Sequence, residues 1–212
     1  MKQVRVMLAD EHPVVRSGLH RYLDDLNNII VIGNVTSGEQ AYRDLPKLRP
    51  NVLLINASMP DMGGIETLNR ILTRDCKAKV IVFTMDENIT FATQALSMGA
   101  QGYLSLSDDC DILNKAIIEV AGGRKFLSDS MAKAIALRNM SGSDELIQDL
   151  TSREFEIFRL LVEGKVVEKI ARLLNISHKT VANYQTVLKQ KLGVNSAVEL
   201  VRLAIRQGVI KP

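Results

Sequence analysis

Two periodicities take turns along residues 1–122. Runs rich in Val, Ile and Leu at residues 4–9, 29–35, 52–56, 79–84 and 102–104 are too continuously apolar for strands with one wet face. They predict strands buried on both sides. Between them, residues 13–26, 37–48, 64–74, 88–98 and 109–121 repeat apolar positions at three- and four-residue spacing, the pattern of helices lying on a sheet. Strict alternation of the two predicts an α/β fold, a doubly wound five-stranded parallel sheet covered on both faces. The punctuation agrees, with Pro13 suited to a first helical turn, Pro50 just before a strand, and Gly99 and Gly102 flanking the approach to the fifth strand.

Past Gly122 the pattern changes. Gly122 and Gly123 break the fifth helix, residues 129–138 have the spacing of a short helix, and 139–144 form a polar, turn-forming cluster. Residues 123–149 therefore read as a linker with a helical piece, most mobile at 141–143. From Leu150 no strand pattern survives, and 150–212 reads as a small all-α domain. Thr151, with Glu154 three residues later, forms a capping box ahead of Phe155, Phe158, Leu161 and Val162, and Gly164 ends that helix. A second helix carries Ile170, Leu173 and Leu174, and residues 175–177 make the turn. Ser177 caps a third helix over 178–192, with Val181, Val187, Leu188 and Leu192 facing inward. A fourth, over 196–207, stops at Gly208.

Composition adds little except by subtraction. A chain of 212 residues, 46% hydrophobic and 24% charged, is an ordinary globular mixture and neither disordered nor fibrous. No apolar run approaches the ~20 residues that span a bilayer, and the N-terminus lacks a signal-peptide pattern, so no membrane association is expected. Cys76 and Cys110 have no metal-ligand spacing and read as free thiols of a reducing cytoplasm.

Charge changes the picture once it is divided. Residues 150–212 carry eleven Lys and Arg against five Asp and Glu, a balance of +6, whereas the rest of the chain stands at −3. The C-terminal third therefore has the electrostatics of a nucleic-acid binder. Between Ile176 and Leu192 the charged residues are Lys179, Lys189 and Lys191, with no acid among them. A helix, a tight turn and a basic helix free of acids is the arrangement that reads a major groove.

The run Leu150, Thr151, Ser152, Arg153, Glu154, the stretch 164–171, the run Ile176, Ser177, His178, Lys179, Thr180, Val181 and the stretch 191–196 together resemble the LuxR-type helix-turn-helix. That likeness covers essentially all of 150–212 and implies double-stranded DNA as the partner. It places the third helix in the major groove, with Ala182, Asn183 and Thr186 at base edges and Lys179, Thr180, Tyr184 and Lys189 near phosphates. Asn183 has the amide needed to pair bidentately with adenine. The family also joins two domains through the last helix, making Val198, Val201 and Leu203 candidates for a homodimer seam on DNA. Val201 and Leu203 are equally readable as core.

Residues 1–122 resemble the receiver domain of NarL/FixJ-type response regulators, through Asp10, Glu11, His12 and Pro13 after the first strand, Met59 and Pro60 after the third, and Thr84 ending the fourth. A receiver phosphorylates an aspartate at the edge of its third strand. Two further acids hold Mg²⁺ there, and a hydroxyl and a lysine answer the new charge. Here the acid pair is Asp10 and Glu11, the hydroxyl Thr84 and the switch aromatic Tyr103, but Asn56 stands at the acceptor position and Leu106 at the lysine. An amide does not form an acyl phosphate, and leucine donates no charge-assisted hydrogen bond. Ser58 and Asp61 in the following loop show no sign of substituting.

The expectation is a degenerate receiver in which Asn56 hydrogen-bonds Asp10 or Glu11 directly. No cofactor is expected, Mg²⁺ at Asp10 and Glu11 being the one candidate, and no catalytic residue is assigned. The leading function is a sequence-specific DNA-binding transcription regulator not controlled by aspartyl phosphorylation. The alternative, from another class, is an interaction protein that heterodimerises with a genuine response regulator and alters its promoter binding. A phosphorylated regulator or an enzyme ranks last.

Overall fold

The computed structural model describes residues 3–59, 62–85, 89–140, 147 and 149–210. Six parallel strands form the sheet: β1 Val4–Ala9, β2 Ile29–Val35, β3 Val52–Asn56, β4 Val80–Thr84, β5 Gly102–Ser105 and β6 Phe126–Leu127, in the order β2-β1-β3-β4-β5-β6. The sixth strand corrects the expectation of five. Its two residues lie in the stretch read as linker and pair with Gly102 and Tyr103, closing the edge of β5.

Five helices cover this sheet: α1 Pro13–Asp24, α2 Gly38–Leu48, α3 Gly64–Arg74, α4 Ile89–Ser97 and α5 Cys110–Ala121. The strand residues alternate between two cores, as a pleated strand buried on both faces must. Val6, Leu8, Val52, Leu54, Ile81 and Phe83 pack with Leu23 of α1 and with Leu113 and Ile117 of α5. Met7, Ala9, Leu53, Ile55, Val80 and Val82 pack with Ala41, Leu68 and Ala92 of α2, α3 and α4.

Helix α6, Asp129–Met140, lies against α4 and buries Met131. It is followed by α7 Ser152–Val162, α8 Val167–Leu173, α9 His178–Leu192 and α10 Ala197–Arg206. Local chemistry sets their ends. Glu154 N–H donates to Thr151 Oγ1 at 3.3 Å while Thr151 N–H donates to Glu154 Oε2 at 2.8 Å, completing the capping box. Ser177 caps α9 through Thr180 N–H at 3.0 Å, and Gly193 ends it in the left-handed region at φ 65°. Residue 88 at the expected start of the fourth helix, Asp61 and residues 141–143 lie outside the described residues. Among those described, no helix is long and apolar enough to cross a membrane.

Candidate functional sites

β1 lies between β2 and β3, so the connections leaving β1 and β3 run in opposite directions and a crevice opens between the ends of those two strands. This is where open α/β sheets hold their ligands. Asp10 follows β1 and Asn56 ends β3, and both are buried. Asn56 Nδ2 donates to Asp10 Oδ2 at 2.9 Å, and Asn56 Oδ1 accepts from Ser58 N–H at 2.9 Å. A carboxylate only accepts and a backbone N–H only donates, so these neighbours fix which end of the amide is which. The other Asp10 oxygen accepts from His12 N–H at 2.6 Å and faces His12 Nδ1 at 3.0 Å. Gly64 lets α3 start against this strand end, since a Cβ there would stand 2.1 Å from the Asn56 carbonyl oxygen.

The other candidates follow along the same end of the sheet. Glu11 is exposed, 3.9 Å from the His12 ring, and takes no part in the Asp10–Asn56 contact. Thr84 is buried at the end of β4, and Tyr103 is fully buried within β5. Leu106 packs with the α1/α5 core and lines an apolar cavity of about 250 Å³ with Val14, Val15 and Leu113. The residues do not suit Mg²⁺: Asp10's oxygens are taken by three donors, an amide N–H faces it where a third acid would sit, and Glu11 turns to solvent. Among the described residues no group of three or more His, Cys, Asp or Glu gathers to hold a metal.

A larger cavity, about 470 Å³, lies at the opposite end of the sheet among Arg49, Arg74, Lys77 and Lys79. Helices α2 and α3 end there, and cations at helix C-termini answer the backbone dipoles.

The second site is α9. Ala182, Asn183, Thr186 and Lys179 are exposed along it, and Thr180, Tyr184 and Lys189 are half-buried. Val181, Leu188 and Leu192 turn inward and hold the opposite side. Asn183 makes no side-chain hydrogen bond to any described residue, whereas Thr186 Oγ1 donates to the Ala182 carbonyl at 3.2 Å. Lys191 is committed elsewhere, with Nζ 2.8 Å from Glu154 Oε2. Burial pushes the Glu154 carboxyl up, yet Lys191 and the two Thr151 hydrogen bonds hold it below the ordinary carboxylate range. On α10, Val198 is exposed and Val201 half-buried, but Leu203 is buried in its own domain's core. A side chain so enclosed has no surface to offer a second protomer, so the outward apolar residues are Val198 and Ile205.

Sequence reasoning missed a third constellation, between the sheet domain and α7. Ser152 Oγ donates to Glu66 Oε2 at 2.6 Å, and Arg153 Nη1 lies 2.9 Å from Glu156 Oε2. Burial pushes the Glu156 carboxyl up to about 7 against the pull of Arg153 and Arg159, and neighbouring Glu66 pushes the same way. On sequence alone these acids look like solvated helix positions. Only docking buries them.

Known proteins align with both halves. Residues 6–117 match the response regulator receiver domain and residues 148–204 match the bacterial regulatory proteins of the luxR family. The transcriptional activator protein ExaE of Pseudomonas putida is 33% identical over 209 residues, 97% of this chain and 98% of its own length. The response regulator UvrY of Escherichia coli is 31% identical over 208 residues, 97% of this chain and 95% of its own. Among solved structures, RcsB of Salmonella typhimurium superposes with a TM-score of 0.73 at 28% identity, covering 95% of this chain and 96% of that one. RcsB bound to promoter rprA with a phosphomimetic superposes at 0.71 with 26% identity, covering 95% and 98%.

Proposed function

Because the chain belongs to the LuxR family of response regulators, a receiver domain followed by a helix-turn-helix, we propose that it is a transcription regulator whose DNA binding is independent of aspartyl phosphate. The observation that carries this is the Asn56 amide, buried and hydrogen-bonded at both ends between Asp10 and Ser58. It has no nucleophilic oxygen to give, and the leucine at 106, half-buried against the α1/α5 core, has no cation to offer a phosphate.

In this reading α9 enters the major groove. Asn183 hydrogen-bonds a base edge beside Ala182 and Thr186, and Lys179, Thr180, Tyr184 and Lys189 grip phosphates. Two copies pair on DNA through Val198 and neighbouring residues of α10. The relatives support the direction, since one RcsB structure is a DNA complex and another is described as two RcsB dimers on two parallel DNAs.

The test is DNA affinity of the full chain across a salt series, with and without acetyl phosphate and Mg²⁺. The expected result is steep salt dependence that acetyl phosphate does not alter. Binding indifferent to salt, or strengthened by acetyl phosphate, contradicts the proposal.

A second reading, heterodimerisation with an intact response regulator, draws on the apolar surface around Val14, 83% exposed beside the Leu106 cavity. It predicts that a partner receiver protects Val14 and that Val14→Lys abolishes the pairing.

A further inference from the structure

Helix α7 is enclosed on almost every side: Ser152, Glu154, Phe155, Glu156, Ile157, Phe158, Leu160 and Val162 are all buried. A surface helix of a small bundle keeps a wet face, so a helix buried all round has neighbours on both sides. On one side α9 and α10 pack against it, and on the other stand α3 and α4 of the sheet domain.

The seam is specific. The Phe155 ring meets Phe91 of α4 edge to face, centroids 4.9 Å apart, and the Arg159 guanidinium lies 5.8 Å from the same Phe91 ring. Gln94 Nε2 donates to the Leu150 carbonyl at 3.2 Å, and Thr90 Oγ1 donates to the Gln207 carbonyl at 2.8 Å. Gly63, at φ 71°, leaves room for Glu156, whose Oε1 would be 1.6 Å from any Cβ placed there. The core on the α2–α4 face of the sheet runs without a break into Phe155, Phe158 and Val181.

We infer that this docked arrangement is itself the DNA-binding form: the α3/α4 face is a fixed mount for α7, and DNA is read from the far side without the two domains parting. The inference rests on the reading of α9 as the DNA helix.

Three observations carry it. First, Lys179, Ala182, Asn183 and Thr186 are exposed while the seam is closed, and so is Val198 on α10. The sheet domain does approach the turn before α9, where Glu39, Met62 and Arg70 line a cleft of about 330 Å³ with Arg153, Asn175 and Ile176, but the outward face of α9 stays uncovered. Second, a ligand shifts a conformational equilibrium only by its differential affinity for the two states. DNA on an already exposed face gains nothing from opening the seam. Third, the Asp10–Asn56 contact is closed and gains no charge, so the vestigial site offers no trigger that would drive the domains apart.

Hydrogen exchange on the full chain tests this, free and bound to a duplex selected by the full chain from a random pool. The expected pattern is slowed exchange in α9 with DNA, while α4 and α7 stay equally protected with and without it. A tenfold or larger acceleration in α4 and α7 on DNA binding, alongside protection of α9, overturns the inference and leaves DNA binding standing. If no duplex is selected and α9 never gains protection, the DNA-binding reading fails and this inference with it. Phe91→Lys, which places a charge in the seam, is expected to accelerate α7 exchange without raising duplex affinity. Ser152→Ala removes only the hydroxyl donor to Glu66 and repeats the test with less risk to folding. A tenfold rise in affinity in either variant means that docking masks the DNA face, and refutes the proposal.

Discussion

Asn56 and Asn183 carry the same amide to opposite ends. At the end of β3 the amide is buried, donates to Asp10 at 2.9 Å and accepts from Ser58 at 2.9 Å, so its hydrogen-bonding capacity closes a site. On α9 it is exposed and makes no side-chain hydrogen bond to a described residue, so the same capacity is offered outward. Residue identity therefore says less than what the surrounding elements leave unsatisfied. A buried polar group is costly unless paired, and a paired one is inert.

The largest expected effect breaks the closed half. Asn56→Asp removes the donor to Asp10 and sets two buried carboxylates face to face, leaving charge uncompensated. It is expected to lower stability at neutral pH by about 3–5 kcal/mol, with millimolar Mg²⁺ restoring part of the loss. Thermal melts with and without Mg²⁺ check it, and a variant as stable as the parent contradicts the closed-site account.

Next in size is Glu156. Its folded carboxyl titrates near 7, above the ordinary value of 4.5, so the folded chain binds its proton more tightly than the unfolded chain. That contribution is fully present below about 4.5 and is lost as pH rises through about 7, weakening the fold by up to ~3 kcal/mol. Denaturant titrations from acid to neutral pH are expected to show this slope, and Glu156→Gln to flatten it. An unchanged slope in that variant means that another group is responsible.

The open half gives a smaller and different signature. Asn183→Ala is expected to leave stability within about 0.5 kcal/mol while weakening the selected duplex by roughly 1–3 kcal/mol, with relaxed preference at one base pair. A loss spread evenly over all sequences assigns Asn183 to the backbone instead. Smallest is the contrast among lysines. Lys189→Ala is expected to reduce the salt slope by about one unit, whereas Lys191→Ala leaves it unchanged because that ammonium is paired with Glu154.

Much of the fold is legible in the sequence because it is local. β1 to β3, α3 and α9 fall where their periodicity puts them, and the Thr151–Glu154 capping box forms as four residues dictate. The two-residue β6 has no period to detect and exists only because β5 has a free edge. At the candidate site, the order of Asp10 and Asn56 along the chain points to one crevice, but not to which oxygen meets which nitrogen, nor to Glu11 turning outward. Leu106 and Leu203 both show how an apolar residue at an expected functional position is claimed by the nearest core. The seam at Glu66, Ser152 and Glu156 is illegible for the opposite reason. Its acids and hydroxyl sit on helices whose own patterns point them at water, and only long-range docking makes them interior.

A silent receiver differs from a working one in whether the site around Asn56 takes up a phosphoryl group. Intact-mass measurement of the full chain after incubation with acetyl phosphate and Mg²⁺ tests it directly, with Asn56→Asp run in parallel. The native chain is expected to gain no mass and to keep its affinity for the selected duplex unchanged. A stable gain of one phosphoryl group on the native chain would contradict it.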